Sequence, residues 1–327
     1  MTQAMTASPR PMGPGTTRHL IHCPVSWDHC LDAPGLAEGH FVLADHVPQR
    51  HPLFNDGGSR FHDQQTVIES VREVGEFVGH RYFGVPADRP GLFYRFDLEL
   101  TDLAAWHSGP VADSRLTTRL RAVPTHVVGG VPRGLDFHVE VGIDGTPCAG
   151  GSAGLVFLMP ALYATHLAHA RAAAREATGA AQARPRTTRQ VDPASVGRAC
   201  PDNVLVGEPE TDATGRLTAP VRTHGLAPVF AAENGLLPGL HLLEALRQTA
   251  LLCAGRGPGL AASRSVLAAS RVHFRGYADA DTPLACSAVP GAVERDRAGR
   301  PAVPVALTLT QGHRAVAEAT TVVVQDF

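Results

Sequence analysis

Two stretches of the chain carry apolar residues at helical spacing. Val67, Ile68, Val71, Val74 and Val78 form one stripe, and Leu242, Leu243, Leu246 and Ala250 form the other. Each pattern predicts an amphipathic helix with that stripe turned to a core. Before the first helix, His40, Val42 and Ala44 alternate with Phe41, Leu43 and Asp45, which reads as a strand. After each helix come β-rich runs. In the first half these are Leu92 to Leu100, Leu135 to Val141 and Gly154 to Met159. In the second they are Ser270 to Gly276, Val303 to Thr310 and Ala315 to Gln325. Ile143-Asp144-Gly145-Thr146 is a hairpin turn between two of them. A long helix followed by an antiparallel sheet, twice over, is an α+β pattern.

The two halves also share residues in register. Gly39, Pro52 and Phe54 pair with Gly215, Pro228 and Phe230 at an offset of 176. Glu69 and Arg72 pair with Glu244 and Arg247 at an offset of 175, one residue of loop slippage away. The chain therefore divides into a leader at 1–17, a first repeat at 18–162, an Ala/Arg-rich linker at 163–189, helix-prone to about Thr178, and a second repeat at 190–327. In each helix the Glu and Arg sit three apart on a face away from the apolar stripe. A solvated ion pair is the plain explanation of one such pair. Its recurrence in both repeats points to a shared site, with the two pairs meeting in one cleft across a pseudo-twofold axis.

Composition narrows the chemistry. All 29 basic residues are arginine, as in chains from GC-rich genomes. The absence of lysine excludes a lysine Schiff base, covalently attached pyridoxal phosphate and a Walker A lysine. A net charge of −2 gives no nucleic-acid footprint. No stretch is apolar for long enough to span a bilayer, since the longest, around Gly154 to Ala164, is too short. Six cysteines without a CxxC pair fit a reducing cytoplasm. The GGSAG run at Gly150 to Gly154 matches a nucleophile-elbow pattern, but a strand follows it instead of a helix. The pairs His19/His22 and His166/His169 lack a third metal ligand and read as surface histidines. Cys253 reads as a core thiol. No glycine-rich nucleotide loop follows a strand, so no cofactor and no metal is expected.

The segment LPGLHLLEALRQTA (Leu237 to Ala250) resembles the helix motif of hotdog-fold 3-hydroxyacyl-ACP dehydratases. More of the chain resembles the A-factor synthase (AfsA-type) family of γ-butyrolactone biosynthesis. The resemblance rests on His19 to Leu31, His51 to Glu73, Val78 to Pro86 and Val191 to Val206. It implies a tandem double hotdog. It also implies an acyltransferase that joins a β-ketoacyl group, carried as an ACP thioester, to the hydroxyl of dihydroxyacetone phosphate or a similar small alcohol. Glu69, Arg72, Glu244 and Arg247 match the family's ExxR[QE] positions. The family's second repeat carries two histidines in a DHPxDHxPG-like run; here AAENGLLPG places Ala232 and Leu236 at those positions. The first repeat keeps His51, His62 and Asp63.

Acyl transfer to an alcohol needs a base and oxyanion donors. Glu69, Glu244, His62 and Asp63 are the catalytic candidates, the glutamates on the expectation that an apolar cleft raises a carboxyl pKa. His62 and Asp63 also stand where a helix cap would. Arg72, Arg247, His51 and Asn55 are the candidates for substrate or phosphate binding. The expected partners are an acyl carrier protein or acyl thioester and a small phosphorylated alcohol, with no nucleic acid and no membrane. The pseudo-dimer is expected to act alone or as a homodimer. The alternatives are a hotdog dehydratase, cyclase or thioesterase on ACP-bound polyketide intermediates, or a non-catalytic module that holds an acyl chain or ACP.

Overall fold

The computed structural model describes residues 39–46, 53–54, 56, 59–108, 114–180, 189–232 and 234–327. The first repeat runs β1 (His40–His46), α1 (Gln65–Tyr82), β2 (Gly91–Leu100), β3 (Arg115–Thr125), β4 (Gly134–Ile143) and β5 (Thr146–Phe157). Helix α2 (Pro160–Ala180) follows. The second repeat runs β6 (Glu210–Thr211), β7 (Leu217–Val221), α3 (Gly239–Arg256), β8 (Ser265–Phe274), β9 (Leu284–Pro290), β10 (Glu294–Arg295), β11 (Pro301–Gln311) and β12 (Arg314–Gln325). All strands join one antiparallel sheet in the order β1-β3-β4-β5-β2-β8-β12-β11-β9-β7-β6, with β10 beside β11.

The sheet order contains the repeat. In the first half the strand after the helix, β2, lies at the inner edge, and the strand before it, β1, at the outer edge. In the second half β8 holds the inner place and β7 the outer one, with the two-residue β6 beyond it. The two inner strands pair with each other, with Asp97 opposite Arg271, and fuse the halves into one sheet. This is a double hotdog: two helix-and-sheet units related by a pseudo-twofold axis between β2 and β8.

Local sequence explains the packing. Each valine of the α1 stripe is buried, and so is Ile68. The helix lies close against the sheet because Gly79 has no side chain; a Cβ there would come 2.1 Å from the Phe157 ring. Strands β3 and β4 alternate as a one-sided sheet requires, with Leu116, Leu120, Phe137 and Val139 turned inward. The β4–β5 turn has Asp144 and Gly145 both at positive φ, the tight hairpin form that the turn residues favour. The GGSAG run lies inside β5, where Ser152 hydrogen-bonds Arg95 and Asp97.

The helix faces opposite the stripes are not solvated. Glu69 is 1% exposed and Glu244 0%. Helix α3 packs on β9, β11 and β12 and is covered in turn by the short turn Pro193–Val196, so it is buried nearly all round. A helical wheel registers only the sheet side; the cover comes from elsewhere in the chain. No helix among the described residues is long and apolar enough to cross a membrane.

Candidate functional site

Glu244 is the centre of a buried polar cluster drawn from both repeats. Arg198 approaches its carboxylate with Nε at 2.8 Å and Nη2 at 2.7 Å. Arg247 does the same with Nε at 2.9 Å and Nη2 at 2.7 Å. Gln65 of the first repeat donates its amide at 2.6 Å, and Gln248 donates from the next turn of α3. Both arginines are therefore bidentate forks on one carboxylate.

Each partner is held in place from outside the cluster. Arg198 Nη1 donates to the Leu53 carbonyl at 2.6 Å, and Nη2 lies 2.8 Å from the Asp63 carboxylate. Arg247 Nη2 also donates to the Val196 carbonyl at 3.0 Å. Between these two anchors the chain turns at Gly197, with φ at 66°, where a side chain would be strained and would press on Leu251. Gln248 spans to the covering loop, donating to the Asn203 carbonyl and accepting from Leu205 N–H.

The electrostatics follow from the count of charges. Burial by itself pushes the Glu244 carboxyl up, but Arg198 and Arg247 overcome it and hold the group well below the usual carboxylate range. The expectation of a raised Glu244 pKa is thereby reversed, because the apolar surroundings come with two cations. Glu244 is a fixed anion that organises two arginines.

Beside the cluster, at the junction of the repeats, lies a narrow cleft of about 60 Å³. Arg247, Arg198, Asp63 and His62 line it together with an apolar wall that includes Ile68, Leu243, Leu246 and Leu267. All three guanidinium nitrogens of Arg198 are spent on Leu53, Asp63 and Glu244. Arg247 Nη1 has no hydrogen bond among the described residues.

His62 is 4% exposed, and neither ring nitrogen has a hydrogen-bond partner among the described residues. Burial lowers its pKa, against a smaller opposing effect of Asp144, so the ring is neutral and one nitrogen carries a lone pair. Its backbone is fixed by a 2.8 Å bond from its N–H to the Trp106 carbonyl, and Trp106 is itself anchored to the Cys148 carbonyl. Asp63 combines two roles: one oxygen accepts from Gln65 N–H at the start of α1, and the other faces Arg198.

The structure brings together Glu244, Arg247, His62 and Asp63. It keeps the Glu69–Arg72 pair apart from them. Arg72 forks onto Glu69 at 2.9 and 3.0 Å, but neither residue lines the cleft, so the expectation that both pairs converge in one cleft is not met. The offset that relates the repeats shows the reason: Gln65, which reaches across to Glu244, corresponds to the apolar Leu240. His51 and Asn55 lie outside the described residues. Arg198, Gln65 and Gln248 were not singled out as site residues from sequence. Arg198 stands inside the Val191–Val206 segment that carries the family resemblance, and Gln248 is the last residue of the ExxR[QE] motif.

A second buried histidine gives a test of the polar interior. His241, three residues before Glu244, is 0% exposed, and burial drives its pKa down to about 4 despite its contact with the Phe230 carbonyl. The unfolded chain takes up this proton near pH 6.5 while the folded one does not, so stability falls as pH drops from about 6.5 to 4, by about 3 kcal/mol in all. Glu244 adds a second loss below about pH 4.5, as its depressed pKa requires. Urea midpoints measured between pH 8 and 4 should decline from about pH 6.5, and the upper part of that decline should flatten in His241→Asn.

Fold and site together define a class: double hotdog proteins with a largely apolar cleft at the repeat junction and a buried Glu–Arg cluster beside it. The chain belongs to the AfsA family, whose A-factor biosynthesis hotdog domain matches residues 18–159 and 179–324. A 2-oxo-3-(phosphooxy)propyl 3-oxoalkanoate synthase of Streptomyces coelicolor is 27% identical over 283 residues, spanning 85% of this chain and 81% of that protein. A protein of the same name from Streptomyces griseus is 27% identical over 283 residues, spanning 79% and 80%. Among solved structures, a 12:0-ACP thioesterase from Umbellularia californica superposes with a TM-score of 0.50 at 8% identity, covering 88% of this chain and 98% of that one. That likeness concerns the fold alone.

Proposed function

We propose that this chain transfers a 3-oxoacyl group from a carrier thioester, such as acyl-ACP, to the hydroxyl of a small phosphorylated alcohol such as dihydroxyacetone phosphate. The observation that carries the reading is the cleft itself, which sets a neutral, unpaired His62 and a spare Arg247 nitrogen against an apolar wall. The family membership and the names of the Streptomyces relatives support it.

In this reading the acyl chain lies on the apolar wall. His62 takes the proton from the acceptor hydroxyl as its oxygen attacks the thioester carbonyl. A C–O bond forms, the C–S bond breaks, and the leaving thiolate recovers the proton from the imidazolium. Arg247 Nη1 faces the acceptor's phosphate. Glu244 and Arg198 are positioning residues, since a carboxylate held ionised by two arginines is a poor proton carrier at neutral pH. The second repeat, which lacks the family's paired histidines, supplies the Glu–Arg cluster, while the first supplies His62. One centre per chain follows. The four described cysteines are all free, in keeping with a cytoplasmic setting.

Arg247→Gln separates phosphate recognition from chemistry. It should raise the KM for dihydroxyacetone phosphate by about tenfold or more, in line with the loss of a charge-assisted hydrogen bond. It should leave the slow reaction with unphosphorylated dihydroxyacetone little changed. An equal loss with both acceptors would place Arg247 in support of the fold instead.

A further inference from the structure

The cleft wall opposite α3 is built by β8 and β12, and Leu267, Val272 and Ala319 make most of it apolar. One cross-strand pair breaks the pattern. Ser270 stands directly opposite Thr321, and both line the cleft. Thr321 is 4% exposed, and its hydroxyl has no hydrogen-bond partner among the described residues. A buried hydroxyl left unpaired is costly, so a polar atom of an occupant is the natural partner. The first repeat has no such feature on its matching strands, where the inward pairs are Phe96 with Ala153 and Leu98 with Gly151. The hydroxyl pair thus belongs to the second repeat's wall of the cleft alone.

We propose that Ser270 and Thr321 read an oxygen on the acyl chain, the 3-oxo group, and so select 3-oxoacyl thioesters over saturated ones of equal length. This rests on the acyl-transfer reading of the cleft. A keto oxygen accepts from the Thr321 hydroxyl. A saturated chain excludes water from the same place and leaves that hydroxyl unpaired, which is how a site built for a hydrogen bond rejects the analogue that lacks it.

The test compares kcat/KM for a 3-oxoacyl and a saturated acyl thioester of pantetheine, with dihydroxyacetone phosphate as acceptor, across wild type, Thr321→Val and the Ser270→Ala/Thr321→Val double variant. Thr320→Val is the control, since Thr320 is exposed on the outer face of the sheet. Thr321→Val keeps the side-chain shape. It should lower the preference for the 3-oxo substrate about tenfold, chiefly by slowing the 3-oxo reaction, with a further drop in the double variant. The control should keep the wild-type ratio. Turnover with an unchanged ratio in both variants overturns the inference and leaves the acyl-transfer reading standing. Calorimetry with the non-hydrolysable amide analogues of the two thioesters covers the opposite case. Tighter binding of the 3-oxo analogue, lost in Thr321→Val, supports the inference even in the absence of turnover, which would count against acyl transfer only. Equal binding of both analogues by the wild type overturns it.

Discussion

Glu244→Ala is expected to remove about 3–5 kcal/mol of stability, a large share of what a folded domain has. The cost comes from what remains. Arg198 is almost wholly buried and Arg247 is only 14% exposed, with Asp63 and the more distant charge of Asp56 left to balance them. Breaking a buried ion pair from one side strands the other charge, and here one deletion strands two. Glu244→Gln keeps the volume but not the charge and should be nearly as damaging. The pseudo-equivalent change, Glu69→Gln, is the contrast. Arg72 is 30% exposed and can turn to water, so this loss should be about 1 kcal/mol. Urea unfolding of the three variants at pH 7.5 checks both statements, and equal losses for Glu69→Gln and Glu244→Gln would contradict the asymmetry between the repeats. Glu69→Gln should also keep wild-type turnover, since Glu69 lies off the cleft.

The second large effect is on rate. His62→Gln should lower kcat by about 10²–10⁴-fold, the range that a positioned general base supplies. Stability should hold, because neither ring nitrogen makes a bond in the fold that the amide would lose. The KM for the phosphorylated acceptor should change little, as Arg247 is untouched. Steady-state kinetics beside a thermal melt distinguishes this from a folding defect: a variant that melts normally and turns over normally removes His62 from the chemistry. The two predictions are complementary. Glu244 governs whether the site exists, and His62 whether it reacts.

Much of this was legible in the sequence. The valine stripe of α1 and the Asp144-Gly145 turn are written in local periodicity and turn chemistry, and local rules determine them. The shared ExxR pairs marked the two helices as equivalents, and the sheet order confirms that equivalence strand by strand. The environment of those pairs was not legible. Glu69 and Glu244 sit opposite an apolar stripe, which on an isolated helix means water; in the fold, that face is covered. The sign of the Glu244 shift turned on Arg198, a lone arginine 46 positions upstream whose approach depends on Gly197 adopting a left-handed turn. Likewise, the difference between the two repeats lies in single cross-repeat contacts such as Gln65 with Glu244, which no pattern within either repeat announces.

The central claim is that this cleft joins an acyl thioester to a phosphorylated alcohol. Mass spectrometry of one incubation tests it most directly: purified protein with a 3-oxoacyl-ACP, with and without dihydroxyacetone phosphate. The expected product is the phosphorylated 3-oxoacyl ester, formed only when protein and both substrates are present and lost in His62→Gln. Release of free acid, or loss of water from the acyl chain, at the same rate with and without the acceptor would contradict the claim and make the cleft that of a thioesterase or dehydratase.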